Sequence, residues 1–380
     1  MPALLPDIDP DGLLEFSVVF TDRSLNHMSK AFQGVMHDID ATLKDVYGAA
    51  TLAIVPGGGT FGMEAVARQF VGDAPGQGSA LVIRNGWFSY RWTQILDAAG
   101  LAPQHTVLKA RRMQEGAQAP FAPAPVDEVV ARIRAERPAV VFAPHVETSA
   151  GLMLPDDYIR AVAAATREVD GLFVLDCIAS GTVWVDMAAL GVDVLISAPQ
   201  KGWSASPAAA LVLLRERAEA RLAETKSSSF ACDLGRWREI MRAYEKGGHA
   251  YHATMPTDAL RRFRDAMFET RDHGFERVRD AQLELGTRAR SLLESRGFRS
   301  VAADGFKAPG VVVSYTDDPE LQNGSRLMAA GLQIAAGVPL QCDEGPDFRS
   351  FRIGLFGLDK LQDIDGTVGR LEQALDAALG

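Results

Sequence analysis

Residues 172–201 read LFVLDCIASGTVWVDMAALGVDVLISAPQK, and the fold follows from how that stretch divides. Leu172–Leu175 is an apolar run that ends on Asp176, and Asp193–Ser197 is a second run that ends four residues before Lys201. Runs that are apolar on both faces predict strands covered on both sides, and a crossover between them predicts a parallel pair. The same alternation extends outward. Thr51–Val55, Ala80–Arg84, Ala139–Ala143 and Ala208–Leu214 read as further strands. Between them, helical periodicity falls at about Gly62–Phe70, Tyr90–Ala99, Val126–Arg137 and Pro155–Glu168. The expectation is an α/β protein with a mostly parallel sheet, whose ligands bind beyond the carboxyl ends of the strands.

From about residue 258 the pattern changes. A long charged helix from Thr257 to about Arg296, broken near Gly274, precedes Val311–Tyr315, Gln322–Ala330, Phe351–Leu355 and Lys360–Leu379. These read as a smaller α+β domain. The expected division is an N-terminal segment 1–25 near the active site, a large domain 26–256 and a small domain 257–380. The chain has 380 residues, 47% hydrophobic and 23% charged, with a net charge of −10. That composition excludes a disordered chain, and the charge argues against a nucleic-acid surface. No apolar run has the length of a membrane span. Met1–Asp11 carries prolines and aspartates where a signal peptide needs basic and then apolar residues. Cys177, Cys232 and Cys342 are scattered without metal-ligand spacing, which predicts a reduced, cytoplasmic protein with no structural metal.

The strand ends hold the candidate chemistry. Pro56-Gly57-Gly58-Gly59-Thr60-Phe61-Gly62 lies between a strand and a helix, where backbone N–H groups approach a phosphate. It also fits a dinucleotide pattern, although the second strand ends in Arg84-Asn85-Gly86 with no acid to hold a ribose, where an arginine would suit NADP. Asp176 is a strand-end carboxylate in need of a cationic partner. Lys201 lies one crossover further along, and a buried amine becomes nucleophilic as its pKa falls. Together a phosphate cradle, a carboxylate and a lysine match what pyridoxal phosphate requires. Trp87 and Phe88 offer rings for stacking on a flat cofactor or for core packing. His145 is a candidate for stacking or proton transfer, and Thr148 for bonding a cofactor hydroxyl.

In order along residues 27–375, these pieces resemble the class V pyridoxal-phosphate aminotransferases, the alanine–glyoxylate (serine–pyruvate) branch of fold type I. The matching segments are Gly58-Gly59-Thr60 before Glu64-Ala65, Asn85-Gly86 to Arg91, His145 to Gly151, and Asp176 to Ser180. Ser197-Ala198-Pro199-Gln200-Lys201, Tyr251-His252-Ala253-Thr254-Met255-Pro256 and Phe351-Arg352-Ile353-Gly354 complete the set. The resemblance implies that Lys201 is the Schiff-base lysine and Asp176 the partner of the pyridine nitrogen. It implies phosphate contacts from Gly58, Gly59, Thr60 and Gln200, ring stacking by Phe88, and Thr148 near the phenolic oxygen. Tyr251 and Thr254 would reach the phosphate of a neighbouring subunit, hence a homodimer with shared active sites. Arg352 would clamp the substrate α-carboxylate.

Two segments depart from the family. Glu15–Ser24 replaces its N-terminal Gly-Pro stretch, and Ser206-Pro207-Ala208 replaces a Pro-Pro-Gly. Arg23 and Arg111-Arg112 are candidates for meeting an acidic substrate. The expected activity is transamination from a small alanine- or serine-like amino acid to glyoxylate or pyruvate. The alternatives are a lyase or desulfurase with Cys342, ten residues before Arg352, as nucleophile, and an NADP oxidoreductase using the glycine loop.

Overall fold

The computed structural model describes residues 8–9, 12–72 and 78–380; most of Met1–Asp11, read above for a signal peptide, lies outside them. Seven strands form the central sheet: β1 Thr51–Pro56, β2 Ser79–Arg84, β3 Gln104–Lys109, β4 Val140–Pro144, β5 Leu172–Asp176, β6 Val194–Ser197 and β7 Ala209–Leu214. Their order is β1-β7-β6-β5-β4-β2-β3. Only β7 runs against the rest, pairing antiparallel with both β1 and β6. Residues of β4, β5 and β7 are buried throughout, as strands covered by helices on both faces must be. Val82, Phe142, Val174 and Val194 pair in a row across four parallel strands. Asp176 is therefore level with Pro144 on one side and Ile196 on the other. The segments beginning at His145, Cys177 and Ala198 thus leave the sheet along one edge.

The lysine-bearing loop is pinned at that edge by backbone contact. A Cβ on Gly202 would lie 2.0 Å from the Gly181 carbonyl oxygen, so this position admits only glycine. The Ser204 and Ala205 amides close the loop on the carbonyls of Lys201 and Pro199 at 3.1 and 3.0 Å. Beneath it Trp203 is buried against Trp184, with ring centroids 4.6 Å apart.

The helical stretch beyond residue 257 breaks at Gly274 (φ 104°) into Thr257–His273 and Phe275–Ser295. Leu260, Phe263 and Met267 of the first helix pack into the same core as the central sheet. Val278, Leu285 and Leu293 of the second join a separate core with Phe351, Leu371 and Leu375. That core covers a three-stranded antiparallel sheet of Val311–Tyr315, Ser350–Gly354 and Ala335–Ala336.

Candidate active site

Three strand-end loops and two helix starts converge at the carboxyl edge of the sheet. Asp176 is 7% exposed. Its Oδ1 accepts the Ile178 amide at 2.9 Å. Burial pushes its pKa up to about 7, and the Glu147 carboxylate adds to the rise; the Ile178 amide and the charges of Lys201 and Arg91 oppose it. Burial also lowers the pKa of Lys201, with Asp176 opposing and Arg352 and Arg91 assisting. Each group thus senses the other, and both sense Arg91 and Glu147. The Lys201 Nζ stands 5.3 Å from the centroid of the Phe356 ring.

The helices Gly59–Phe70 and Trp87–Ala99 both begin here, and neither has a side-chain cap from its own N-cap residue. The second is closed from outside by Glu147, which is fully buried. Glu147 accepts five hydrogen bonds: Phe88 N (3.2 Å), Ser89 N (2.8 Å), Ser89 Oγ (2.7 Å), Ser149 N (3.1 Å) and Ser149 Oγ (2.7 Å). A carboxylate so placed satisfies the donors of the first turn and balances the helix dipole. It was legible only as part of a motif, although a helix opening at Gly86, with no side chain to cap it, signals a need for an outside acceptor.

Among the described residues the first helix start has no such carboxylate. A Cβ on Gly59 would sit 2.4 Å from Ile178 Cδ1, so a larger residue would have to displace the Ile178 side chain where the loop approaches the segment after Asp176. Thr60 Oγ1 accepts Arg91 Nη1 at 3.0 Å. Gln200 Oε1 is buried without a partner among the described residues.

Two guanidinium groups lie near the Phe88 ring, with Arg91 Cζ at 4.8 Å and Arg352 Cζ at 5.5 Å from its centroid. Arg352 spends its Nε on the Ala336 carbonyl (2.8 Å). Burial lowers its pKa and Glu147 supports its charge. Thr148, which is buried, follows Glu147 directly. His145 bonds Ser180 Oγ through Nδ1 at 2.7 Å, and burial drives its pKa down to about 4. It is neutral near pH 7 and poorly suited to shuttling protons there.

Tyr251 and Thr254 bond one another (3.1 Å), and Tyr251 is 53% exposed. The alternative that uses Cys342 is not favoured. Cys342 is 4% exposed, and burial pushes its thiol up to about 12, the opposite of an activated nucleophile. Arg111 is engaged by Glu128, while Arg112 donates to the Glu344 carbonyl at 2.6 Å and lies over Phe121.

A phosphorylated pyridine aldehyde fits these residues. Asp176 is a buried carboxylate whose pKa is raised by burial, so a cationic ring N–H beside it would be welcome. Lys201 has reduced basicity, and among the described residues one helix N-terminus has neither carboxylate nor side-chain cap.

The family described as Aminotransferase class-V matches residues 15–321. The 2-aminoethylphosphonate–pyruvate transaminase of Klebsiella pneumoniae subsp. pneumoniae is 27% identical over 350 residues, 88% of this chain and 85% of its own length. Alanine–glyoxylate aminotransferase 1 of Saccharomyces cerevisiae is 25% identical over 88% of this chain and 86% of its own. A crystal structure of an aspartate aminotransferase of subgroup IV from Thermus thermophilus superposes with a TM-score of 0.75 at 25% identity, covering 93% of each chain.

Proposed function

The chain belongs to the class V aminotransferases and carries out pyridoxal-phosphate-dependent transamination, and from that premise we propose how its residues divide the work. Lys201 is the Schiff-base lysine and Asp176 the partner of the pyridine nitrogen. The observation that supports this assignment is their place at one sheet edge: Asp176 ends a strand level with Ile196 of the adjacent parallel strand, five residues before Lys201, and each charge alters the other's basicity. Gly58, Gly59, Thr60 and Gln200 hold the phosphate, Phe88 stacks on the ring, and Thr148 lies by the phenolic oxygen.

The cofactor, when bound, supplies an electron sink for the charge left by loss of the substrate α-proton. Lys201 Nζ, made less basic by burial, takes that proton as a neutral amine and later returns it. Asp176 regains a stable negative charge opposite a protonated nitrogen. Arg352 keeps its two terminal nitrogens for a bidentate grip on the substrate's acid group. Glu147 holds the Phe88 backbone in place through its amide.

Residues 26–256 carry the cofactor site, with helix Thr257–His273 packed on their core. The rest of 257–380 forms the small domain around Val278, and the described part of the N-terminal segment from residue 12 to 25 lies beside the site. The protein works as a homodimer in which Tyr251 and Thr254 complete the partner's phosphate site. Their exposure in the single chain supports that reading. Three free thiols support a cytoplasmic location, and among the described residues no helix is long and apolar enough to cross a membrane.

The donor is a small alanine- or serine-like amino acid and the acceptor pyruvate or glyoxylate. The test is a half-reaction screen with L-alanine, L-serine, L-aspartate and 2-aminoethylphosphonate, following the visible absorbance of the cofactor. Conversion by alanine or serine is expected. Conversion by the phosphonate alone would move the Arg352 grip from a carboxylate to a phosphonate and overturn the donor assignment.

A further inference from the structure

Phe88 and Arg91 are three residues apart on helix Trp87–Ala99, so their side chains leave the same face. Arg91 reaches from there to Thr60, in the first turn of helix Gly59–Phe70. Among the described residues its direct contacts are a hydroxyl and an aromatic ring, and neither is anionic. An arginine is always charged, and one held by neutral groups beside a helix N-terminus marks a place short of negative charge. The two helix starts differ in this respect. Glu147 already occupies the positive end of Trp87–Ala99, whereas Gly58 gives Gly59–Phe70 no cap. A phosphate entering the pocket therefore meets an open helix end and a guanidinium together.

We propose that Arg91 belongs to the phosphate-binding set: its guanidinium, steadied by Thr60 Oγ1 and the Phe88 ring, binds the phosphate monoester received at Gly59–Thr60. This rests on the pyridoxal-phosphate reading and deepens it. The same charge reaches the reacting groups, lowering the pKa of both Lys201 and Asp176. A bound phosphate dianion offsets that charge, which couples occupancy of the phosphate end to the basicity of the lysine.

The test uses apoenzyme stripped of cofactor and compares equilibrium binding of pyridoxal phosphate with that of pyridoxal, which lacks the phosphate. R91Q is expected to weaken pyridoxal phosphate by about 10- to 100-fold, the worth of a charged hydrogen bond, and to weaken pyridoxal far less, by no more than its shared contacts with Lys201 and Phe88 change. R91K, which keeps charge but loses the fork, falls between the two. Inorganic phosphate raises the melting temperature of wild-type apoenzyme more than that of R91Q. Equal losses for both ligands, or no loss for either, overturn the proposal. If R91Q does not fold, as judged by circular dichroism, the R91K comparison decides by the same criterion. Failure of the wild type to bind pyridoxal phosphate at all would instead remove the cofactor reading and this inference with it.

Discussion

Glu147 and Ser89 are joined twice, the Ser89 amide donating to Oε2 at 2.8 Å and its hydroxyl to the same atom at 2.7 Å. They are 58 residues apart in sequence, and this double bond ties the segment after β4 to the start of the helix that carries Phe88 and Arg91. In E147Q one acceptor becomes an amide NH2 that faces donors on either side. We expect a loss of about 1–3 kcal/mol of stability, the cost of unsatisfied buried donors, read from urea unfolding of the apoenzyme. A variant as stable as wild type would show that water replaces the missing acceptor.

Asp176 makes the apoenzyme sensitive to pH. Its pKa is raised from the ordinary value of 3.8 to about 7 in the fold, so between those limits the folded state binds the extra proton. Its destabilising effect is absent below about pH 4, grows as pH rises and is complete above about pH 7. Apo D176N should therefore gain on wild type between pH 5 and pH 8, in thermal midpoints measured side by side. Parallel pH profiles would remove the raised pKa.

G59A places a methyl group against Ile178 Cδ1, 2.4 Å away by ideal geometry. The loop or the Ile178 side chain must shift, at about 1–3 kcal/mol for overpacking, and cofactor affinity falls with it. The double variant G59A/I178A should recover part of that affinity in a direct titration. If I178A restores nothing, the collision is relieved elsewhere.

C342A should keep transamination near the wild-type rate, because its thiol is buried and held protonated well above neutral pH. Neither wild type nor variant should release sulfide from L-cysteine in a methylene-blue assay. Sulfide lost specifically on C342A would restore the desulfurase alternative.

Hybrid dimers test the shared site. K201A and the double variant Y251A/T254A should each be inactive as purified. Unfolding and refolding the two together should yield heterodimers in which one site has lost both sets of groups and the other is intact. Activity recovered on mixing is the expected outcome; none at any ratio would place Tyr251 and Thr254 outside the neighbour's site.

Asp176 and Lys201 were legible because each follows a run of residues apolar on both faces, and such a run announces both a strand and its end. The edge strand β3 was missed for the converse reason. Gln104–Lys109 is only partly covered, with His105 and Thr106 half-buried, so its composition looks like a loop. The reversal of β7 was not legible either, since Ala209–Leu214 is buried on both faces whichever way it runs. The break at Gly274 was readable because a single glycine interrupted an otherwise helical pattern. Glu147 and Arg91 stood inside quoted motifs, yet their work depends on partners that only tertiary folding supplies: Ser89 for one, Thr60 for the other.

The reversed strand has a consequence for how the chain comes into being. Among the described residues β1 is bordered within the sheet by β7 alone, and Gly62, on the helix that follows β1, lies close to Ala210, Ile196 and Val212. As the chain leaves the ribosome, the glycine turn must wait for some 150 later residues before its strand finds a neighbour, a strongly non-local closure of the slow-folding kind. Nascent chains arrested before Ala209 should thus expose β1 to protease, and those extended past Leu214 should begin to protect it.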